Sequence, residues 1–153
     1  MTTAAKSIHL SDDNLILDTD SYKSSHFLQY PQGTTRLFSY LESRGGKYPA
    51  TRFFGLQYLL DRYLTRRITA GMVEEARTLI EAHGEPFPYD GWMRIVNVHG
   101  GKLPLEIRAV PEGTVVPIHN ILLSCTNTDP ELPWLVGWFE TCLLYTSDAA
   151  DER

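Results

Sequence analysis

Leu103-Pro104-Leu105-Glu106-Ile107-Arg108-Ala109-Val110 is followed by Pro111-Glu112-Gly113-Thr114-Val115-Val116-Pro117-Ile118-His119-Asn120, and then by Ile121-Leu122-Leu123-Ser124-Cys125-Thr126. Three short runs in this stretch, Leu103–Val110, Thr114–Val116 and Asn120–Thr126, have the apolar and β-branched content of strands. Pro104, the Pro111-Glu112-Gly113 turn and Pro117 break them, because proline removes a ladder donor and glycine permits a tight reversal. Three helical patterns lie immediately upstream. Strands and helices are therefore partly segregated along the chain, which predicts an α+β fold and not a regular βαβ alternation.

The helical patterns carry their own punctuation. Leu56, Leu59, Leu60, Tyr63 and Leu64 fall at i, i+3, i+4, i+7 and i+8, giving one apolar stripe. Met72, Ala76, Leu79 and Ile80 repeat that spacing, with Thr69 placed to cap the start and Gly84 to stop the end. A shorter helix is predicted over Tyr89–Val98, ending at Gly100-Gly101. Nearer the N-terminus, Leu15-Ile16-Leu17 reads as a short buried strand. Ser21–Gln29 reads as a helix that must stop before Pro31. Thr34–Glu42 alternates as a strand, with Leu37 and Ser39 on one face and Phe38 and Tyr40 on the other. Ser43–Ala50, with Gly45, Gly46 and Pro49, is expected to be a loop. Asn127-Thr128-Asp129-Pro130 turns the chain into a last helix beginning near Pro133. Phe53, Phe54, Trp92, Trp134 and Trp138 are expected in the core.

Composition narrows the function classes. The chain has 153 residues, 42% hydrophobic and 22% charged, which suits one soluble globular domain. A formal net charge of −5 argues against nucleic acid or an anionic membrane as partner, while leaving room for a local basic pocket. No run of apolar residues is long enough to span a bilayer. Two cysteines, Cys125 and Cys142, are too few for a disulfide scaffold and point to a reducing, cytoplasmic setting. Neither G-x-G-x-x-G nor a P-loop is present. Residues 1–13 read as a polar tail without the apolar stretch of a secretion signal. At the other end, Cys142-Leu143-Leu144-Tyr145-Thr146-Ser147-Asp148-Ala149-Ala150-Asp151-Glu152 resembles one reading frame of a transposon-end sequencing adapter. Residues 142–153 are accordingly expected to be a non-native tail, and 14–141 the domain.

The chemistry-bearing segment is Leu17-Asp18-Thr19-Asp20-Ser21-Tyr22-Lys23. It delivers two carboxylates and a phenol to the start of a helix, a common place for small polar ligands. A carboxylate there can accept hydrogen bonds from an amide, and Tyr22 offers a ring face for stacking. The plainer reading, preferred from composition alone, makes Asp20 an N-cap and Tyr22 a surface aromatic. Arg44, where a strand opens into a glycine-rich loop, suits bidentate phosphate binding or simple solvation. His26 is expected to be packed or solvated, and His9, His83, His99 and His119 show no metal spacing.

Several segments taken in order resemble nicotinamide phosphoribosyltransferases. They are Asp18-Thr19-Asp20-Ser21-Tyr22-Lys23 with His26 and Gln29-Tyr30-Pro31, Ser39-Tyr40-Leu41-Glu42-Ser43-Arg44, Phe54-Gly55-Leu56-Gln57-Tyr58, Leu103 through Gly113, and Asn127-Thr128-Asp129-Pro130-Glu131. Together they cover about residues 14 to 141. The loop between Arg44 and Phe53 is shorter than in the family's animal members, and the pattern is lost from Cys142 onward.

The resemblance implies the N-terminal part of a type II phosphoribosyltransferase, with a mixed sheet and flanking helices but without the family's α/β barrel domain. It implies transfer of phosphoribose from phosphoribosyl pyrophosphate to nicotinamide, giving nicotinamide mononucleotide and pyrophosphate, a step of NAD salvage. Mg²⁺ would accompany phosphoribosyl pyrophosphate in the full-length enzyme, and the fragment alone would bind none. The family's sites form at a homodimer interface. Carried over by motif, Tyr22 would stack on nicotinamide, Asp20 would help hold its amide and Arg44 would face the phosphates, all in the partner subunit's site. No catalytic residue is assigned within the fragment, which is expected to be inactive alone. A nicotinate phosphoribosyltransferase fragment and a non-catalytic dimerisation or binding module are the alternatives.

Overall fold

The computed structural model describes residues 14–140 and Leu143. The N-terminal tail and the adapter-like stretch lie outside the described residues, Leu143 excepted. Five strands are described: β1 (Phe38–Glu42), β2 (Ala50–Arg52), β3 (Leu105–Ala109), β4 (Val115–Pro117) and β5 (Ile121–Asn127). Four α-helices are α1 (Leu56–Leu59), α2 (Ala70–Ala82), α3 (Tyr89–Val98) and α4 (Leu135–Trp138). The strands form a three-stranded sheet of order β1-β5-β3 and a two-stranded sheet β2-β4. All of these pairings are antiparallel, with Phe38 opposite Thr126, Ile107 opposite Cys125 and Thr51 opposite Val116. The architecture is α+β, as the segregated pattern predicts.

Local chemistry explains most boundaries. Thr69 Oγ1 accepts from the Met72 amide at 3.3 Å and starts α2. Gly84 follows its end at φ +86°, a conformation glycine adopts without a Cβ clash. The apolar stripe from Leu56 holds, but its second half widens into a π-helical turn over Leu60–Leu64, closed by the Thr65 amide on the Leu60 carbonyl at 2.9 Å. The Pro111-Glu112-Gly113 turn has a structural task. Its Glu112 carboxylate accepts from the Gln57 amide at 2.8 Å, satisfying an orphan donor at the start of α1. In β1, Phe38 and Tyr40 face outward and Leu41 inward, as the alternation requires.

Three expectations are corrected. Leu15–Leu17 is a single 3₁₀ turn and not a strand. Asn14 accounts for it: its Oδ1 accepts from the Ile16 amide at 3.1 Å, and its Nδ2 donates to the Met72 carbonyl and the Glu75 carboxylate, each at 2.9 Å. That side chain offers the backbone a local alternative to a ladder. Phe54 is 70% exposed, because only its neighbour Phe53 turns into the core. Ala50, the last residue of the expected loop, opens a short strand, Ala50–Arg52, that pairs with β4.

Two cores result. One gathers Leu15, Ile16, Ile68, Val73, Trp92, Ile95, Leu132, Trp134, Leu135, Trp138 and Phe139 beneath α2 and α3. The other joins Leu41, Phe53, Leu56, Val116, Leu122, Leu123, Cys125, Val136 and Leu143 under the sheets. α4 therefore lies between them, sending Leu135 and Trp138 to one and Val136 to the other. Leu143 continues the helical path, its amide donating to the Phe139 carbonyl at 3.1 Å. Burial pushes the Cys125 thiol up to about 12, which removes it as a nucleophile. Among the described residues no helix is long and apolar enough to cross a membrane.

Candidate functional site

The acidic turn is fixed against α4 before any side chain reaches solvent. Thr19 Oγ1 donates to the Trp138 carbonyl at 2.8 Å, and Trp138 Nε1 donates to the Ile16 carbonyl at 2.9 Å. Ser21–Leu28 then follows as a 3₁₀-helix. Ser24 and Ser25 hydroxyls donate back to the Ser21 and Tyr22 carbonyls at 2.7 and 2.9 Å, bonds three residues long that match the tighter winding.

Asp20 occupies the N-cap position with extended backbone, yet its side chain makes no capping hydrogen bond. It turns instead to its neighbours. Asp20 Oδ2 lies 3.6 Å from Lys23 Nζ, which also stands 5.9 Å from the Tyr22 ring centroid. The plainer reading holds in position, with Asp20 at the N-cap and Tyr22 a surface aromatic, but the Asp20 side chain makes no cap bond. Tyr22 is 57% exposed, its ring centroid 5.3 Å from that of His26 in a tilted arrangement. Desolvation and the nearby carboxylates of Asp20 and Glu140 raise its phenol above the usual tyrosine range. Tyr22 thus stays neutral at physiological pH and presents an aromatic face to solvent.

Arg44 stands apart. It is exposed in the loop that leaves β1, where the Ser43 carbonyl accepts from the His119 amide at 2.9 Å. Among the described residues, no hydrogen bond or ion pair links Arg44 to Asp20 or Tyr22. The structure brings Asp20 and Tyr22 together and leaves Arg44 as a separate, solvated guanidinium.

Lys23 and Glu140 carry no role in the sequence reading, yet both belong to the cluster. The Lys23 side chain is only 3% exposed, and Nζ lies 3.5 Å from Glu140 Oε2. Its pairing with Asp20 at i+3 is visible in sequence, whereas Glu140 arrives through tertiary packing of the chain after α4. Two cavities among the described residues leave out the cluster's ring and carboxylates. A cleft of about 610 Å³ is walled by Phe27, Tyr30, Phe87, Tyr89 and Trp134, and takes in neither Asp20, Tyr22 nor Arg44. A smaller apolar cavity of about 220 Å³, between Thr19, Ser21 and Ser24 and the end of α2, lies behind the same turn. Half-exposed Asp20 and exposed Tyr22 form a surface patch chemically suited to an amide-bearing ring.

The Asn127–Glu131 segment is structural. Asn127 accepts from the Leu37 amide at 2.8 Å and donates to the Thr35 and Asp129 carbonyls at 2.9 and 2.7 Å. Buried Asp129 accepts from Arg94 Nε at 2.7 Å and the Glu131 amide at 2.9 Å, with His99 Nε2 at 2.7 Å. Burial alone would push this carboxyl up. The hydrogen bonds from Arg94, His99 and the Glu131 amide outweigh that effect and hold it at about 2. Together these bonds tie the approach to β1 and the end of α3 to the turn that follows β5.

Residues 14–107, which include Asp20, Tyr22 and Arg44, match the family described as nicotinamide phosphoribosyltransferase, N-terminal domain. The chain belongs to that family. A nicotinamide phosphoribosyltransferase of Xanthomonas campestris pv. campestris (strain 8004) is 53% identical over 132 residues, covering 86% of this chain and 28% of the relative. Proteins of the same name from Acinetobacter baylyi (strain ATCC 33305 / BD413 / ADP1) and Mycoplasma pneumoniae (strain ATCC 29342 / M129 / Subtype 1) are 27% and 29% identical, over 81% and 84% of this chain. Those matches cover 28% and 34% of the two relatives. The chain therefore spans about a third or less of the nicotinamide phosphoribosyltransferases it matches.

Proposed function

We propose that this chain is the N-terminal portion of an enzyme that moves phosphoribose from phosphoribosyl pyrophosphate to the ring nitrogen of nicotinamide, in the cytoplasm. Residues 14–141 form the domain, and 142–153 are a non-native tail. The observation that carries the reading is the open Asp20–Tyr22 patch, a ring face beside a carboxylate within the family-matched region. Tyr22 stacks on the pyridine ring, and Asp20 accepts from the carboxamide NH₂. The nitrogen lone pair forms the new bond to the anomeric carbon as the bond to pyrophosphate breaks. Oxocarbenium-like charge develops on the ribose during this exchange, and Arg44 faces the phosphates, where a guanidinium opposes the charge of the leaving group.

In this reading the exposed patch is completed in a homodimer, and Asp20, Tyr22 and Arg44 serve the partner subunit's site. In this reading Mg²⁺ enters with the pyrophosphate. The carboxylate of Asp20 favours an amide over the anionic nicotinate, since like charges would meet there.

The chain alone is expected to produce no nicotinamide mononucleotide from nicotinamide, phosphoribosyl pyrophosphate and Mg²⁺. The full-length polypeptide is expected to do so, and to prefer nicotinamide to nicotinate. Turnover by the 153-residue chain that disappears in Tyr22→Ala would overturn the incomplete-site reading. A preference of the full-length polypeptide for nicotinate would overturn the substrate.

A further inference from the structure

We propose that Lys23 is a positioning residue for the nicotinamide half-site, holding Asp20 and Tyr22 in place through its ion pair to Glu140. The inference rests on the reading of Asp20 and Tyr22 given above. Lysine is seldom fully buried unless paired, and this side chain is 3% exposed. Its ammonium has neighbours from two parts of the fold. Asp20 Oδ2 is at 3.6 Å, Glu140 Oε2 at 3.5 Å, and the Tyr22 ring centroid at 5.9 Å. Both carboxylates are half-exposed, at 43% and 53%, so each touches the cation from the solvent side.

The distances are longer than those of tight charge-assisted hydrogen bonds, so the ammonium acts as an electrostatic tether and not as a bidentate clamp. Without it, Asp20 and Glu140 would face one another as like charges, and both would lean away into water. Tyr22 would lose the same anchor, because the ammonium lies over its ring at 5.9 Å. With it, a carboxylate and a ring face keep one arrangement before any ligand arrives, which lowers the ordering cost of binding. Glu140 follows α4, whose Trp138 also anchors the acidic turn. The last described helix therefore sets both the backbone and the side chains of the half-site.

The test uses the full-length polypeptide with Lys23→Met, Lys23→Arg, Glu140→Gln and Tyr22→Ala, measuring kcat and KM for each substrate and the melting midpoint. Lys23→Met is expected to raise KM for nicotinamide about tenfold, with KM for phosphoribosyl pyrophosphate and kcat changed less than about twofold. Lys23→Arg should recover most of that loss, and Glu140→Gln should raise KM for nicotinamide about threefold. If Lys23→Met does not fold, Glu140→Gln decides, because it alters an exposed carboxylate: a raised KM supports the tether, and an unchanged one overturns it. An unchanged KM in Lys23→Met beside a raised KM in Tyr22→Ala overturns the positioning role and leaves the half-site standing. Unchanged values in both overturn the half-site and the positioning role together. A lower melting midpoint with equal losses for the two substrates makes Lys23 a structural ion only, and also overturns the inference.

Discussion

Tyr22 and Arg44 differ in what their loss should remove. In the proposed reading Tyr22 stacks on the ring in the ground state as well as the transition state, a contact of roughly 0.5–1.5 kcal/mol beyond its buried area. In the full-length polypeptide, Tyr22→Ala is expected to raise KM for nicotinamide about three- to tenfold with little change in kcat. Arg44, exposed and unpaired among the described residues, is available to a phosphate. Arg44→Ala is expected to weaken phosphoribosyl pyrophosphate and to lower kcat as well, because charge on the leaving group grows toward the transition state. Steady-state kinetics separate the two; equal effects on both substrates from either variant would contradict the assignment. Asp129 makes a different kind of contribution. Its carboxyl is depressed from 3.8 to about 2 in the folded chain, so its stabilisation is present above about pH 4 and is lost as pH falls toward 2. That depression corresponds to roughly 2 kcal/mol at neutral pH. Urea unfolding of the parent and Asp129→Asn should show a gap of about that size at pH 6, closing below pH 4. A gap independent of pH would show that the carboxylate charge is not its source.

At the scale of elements, regular period and local capping were legible and long-range pairing was not. α2 and α3 could be read because their apolar spacing is helical and Thr69, Gly84 and Gly100 mark the ends. β5 could be read as strand because its apolar run is bounded by turn residues, although sequence does not place it at the centre of the sheet. Leu15–Leu17 was misread because a three-residue apolar run fits a buried strand and a buried turn equally well. Only the reach of Asn14 to Met72 and Glu75 decides between them. β2 carries no apolar alternation and exists because β4 lies beside it. In the site, Asp20 and Tyr22 were legible through motif resemblance, whereas the partnership of Lys23 with Glu140 depends on how α4 packs. Gly91 shows the same limit. A glycine inside α3 looks like a helix weakness, but a Cβ there would stand 2.6 Å from Trp134 Cζ2. Gly91→Ala is therefore expected to destabilise the chain by about 1–3 kcal/mol despite the better helix propensity of alanine. Thermal or urea unfolding checks this, and a gain in stability would mean that Trp134 yields at no cost.

At the scale of the molecule, α4 lies between two cores and anchors the turn that carries Asp20 and Tyr22. The Asp20–Tyr22 turn is thus anchored to a helix shared by both cores, while Tyr22 itself is exposed. The chain spans about a third or less of its relatives' length. Another subunit completes the patch in the site proposed above. Mixing full-length chains tests this most directly. One chain carries Tyr22→Ala, and the other is disabled only in the C-terminal region that completes the site. Each homodimer alone should be impaired. After subunit exchange, heterodimers should regain one working site per pair, assembled from the intact N-terminal patch of one chain and the intact C-terminal region of the other. Mixtures that recover no activity, although exchange is shown to be complete, would contradict the claim that Asp20 and Tyr22 act in the partner subunit's site.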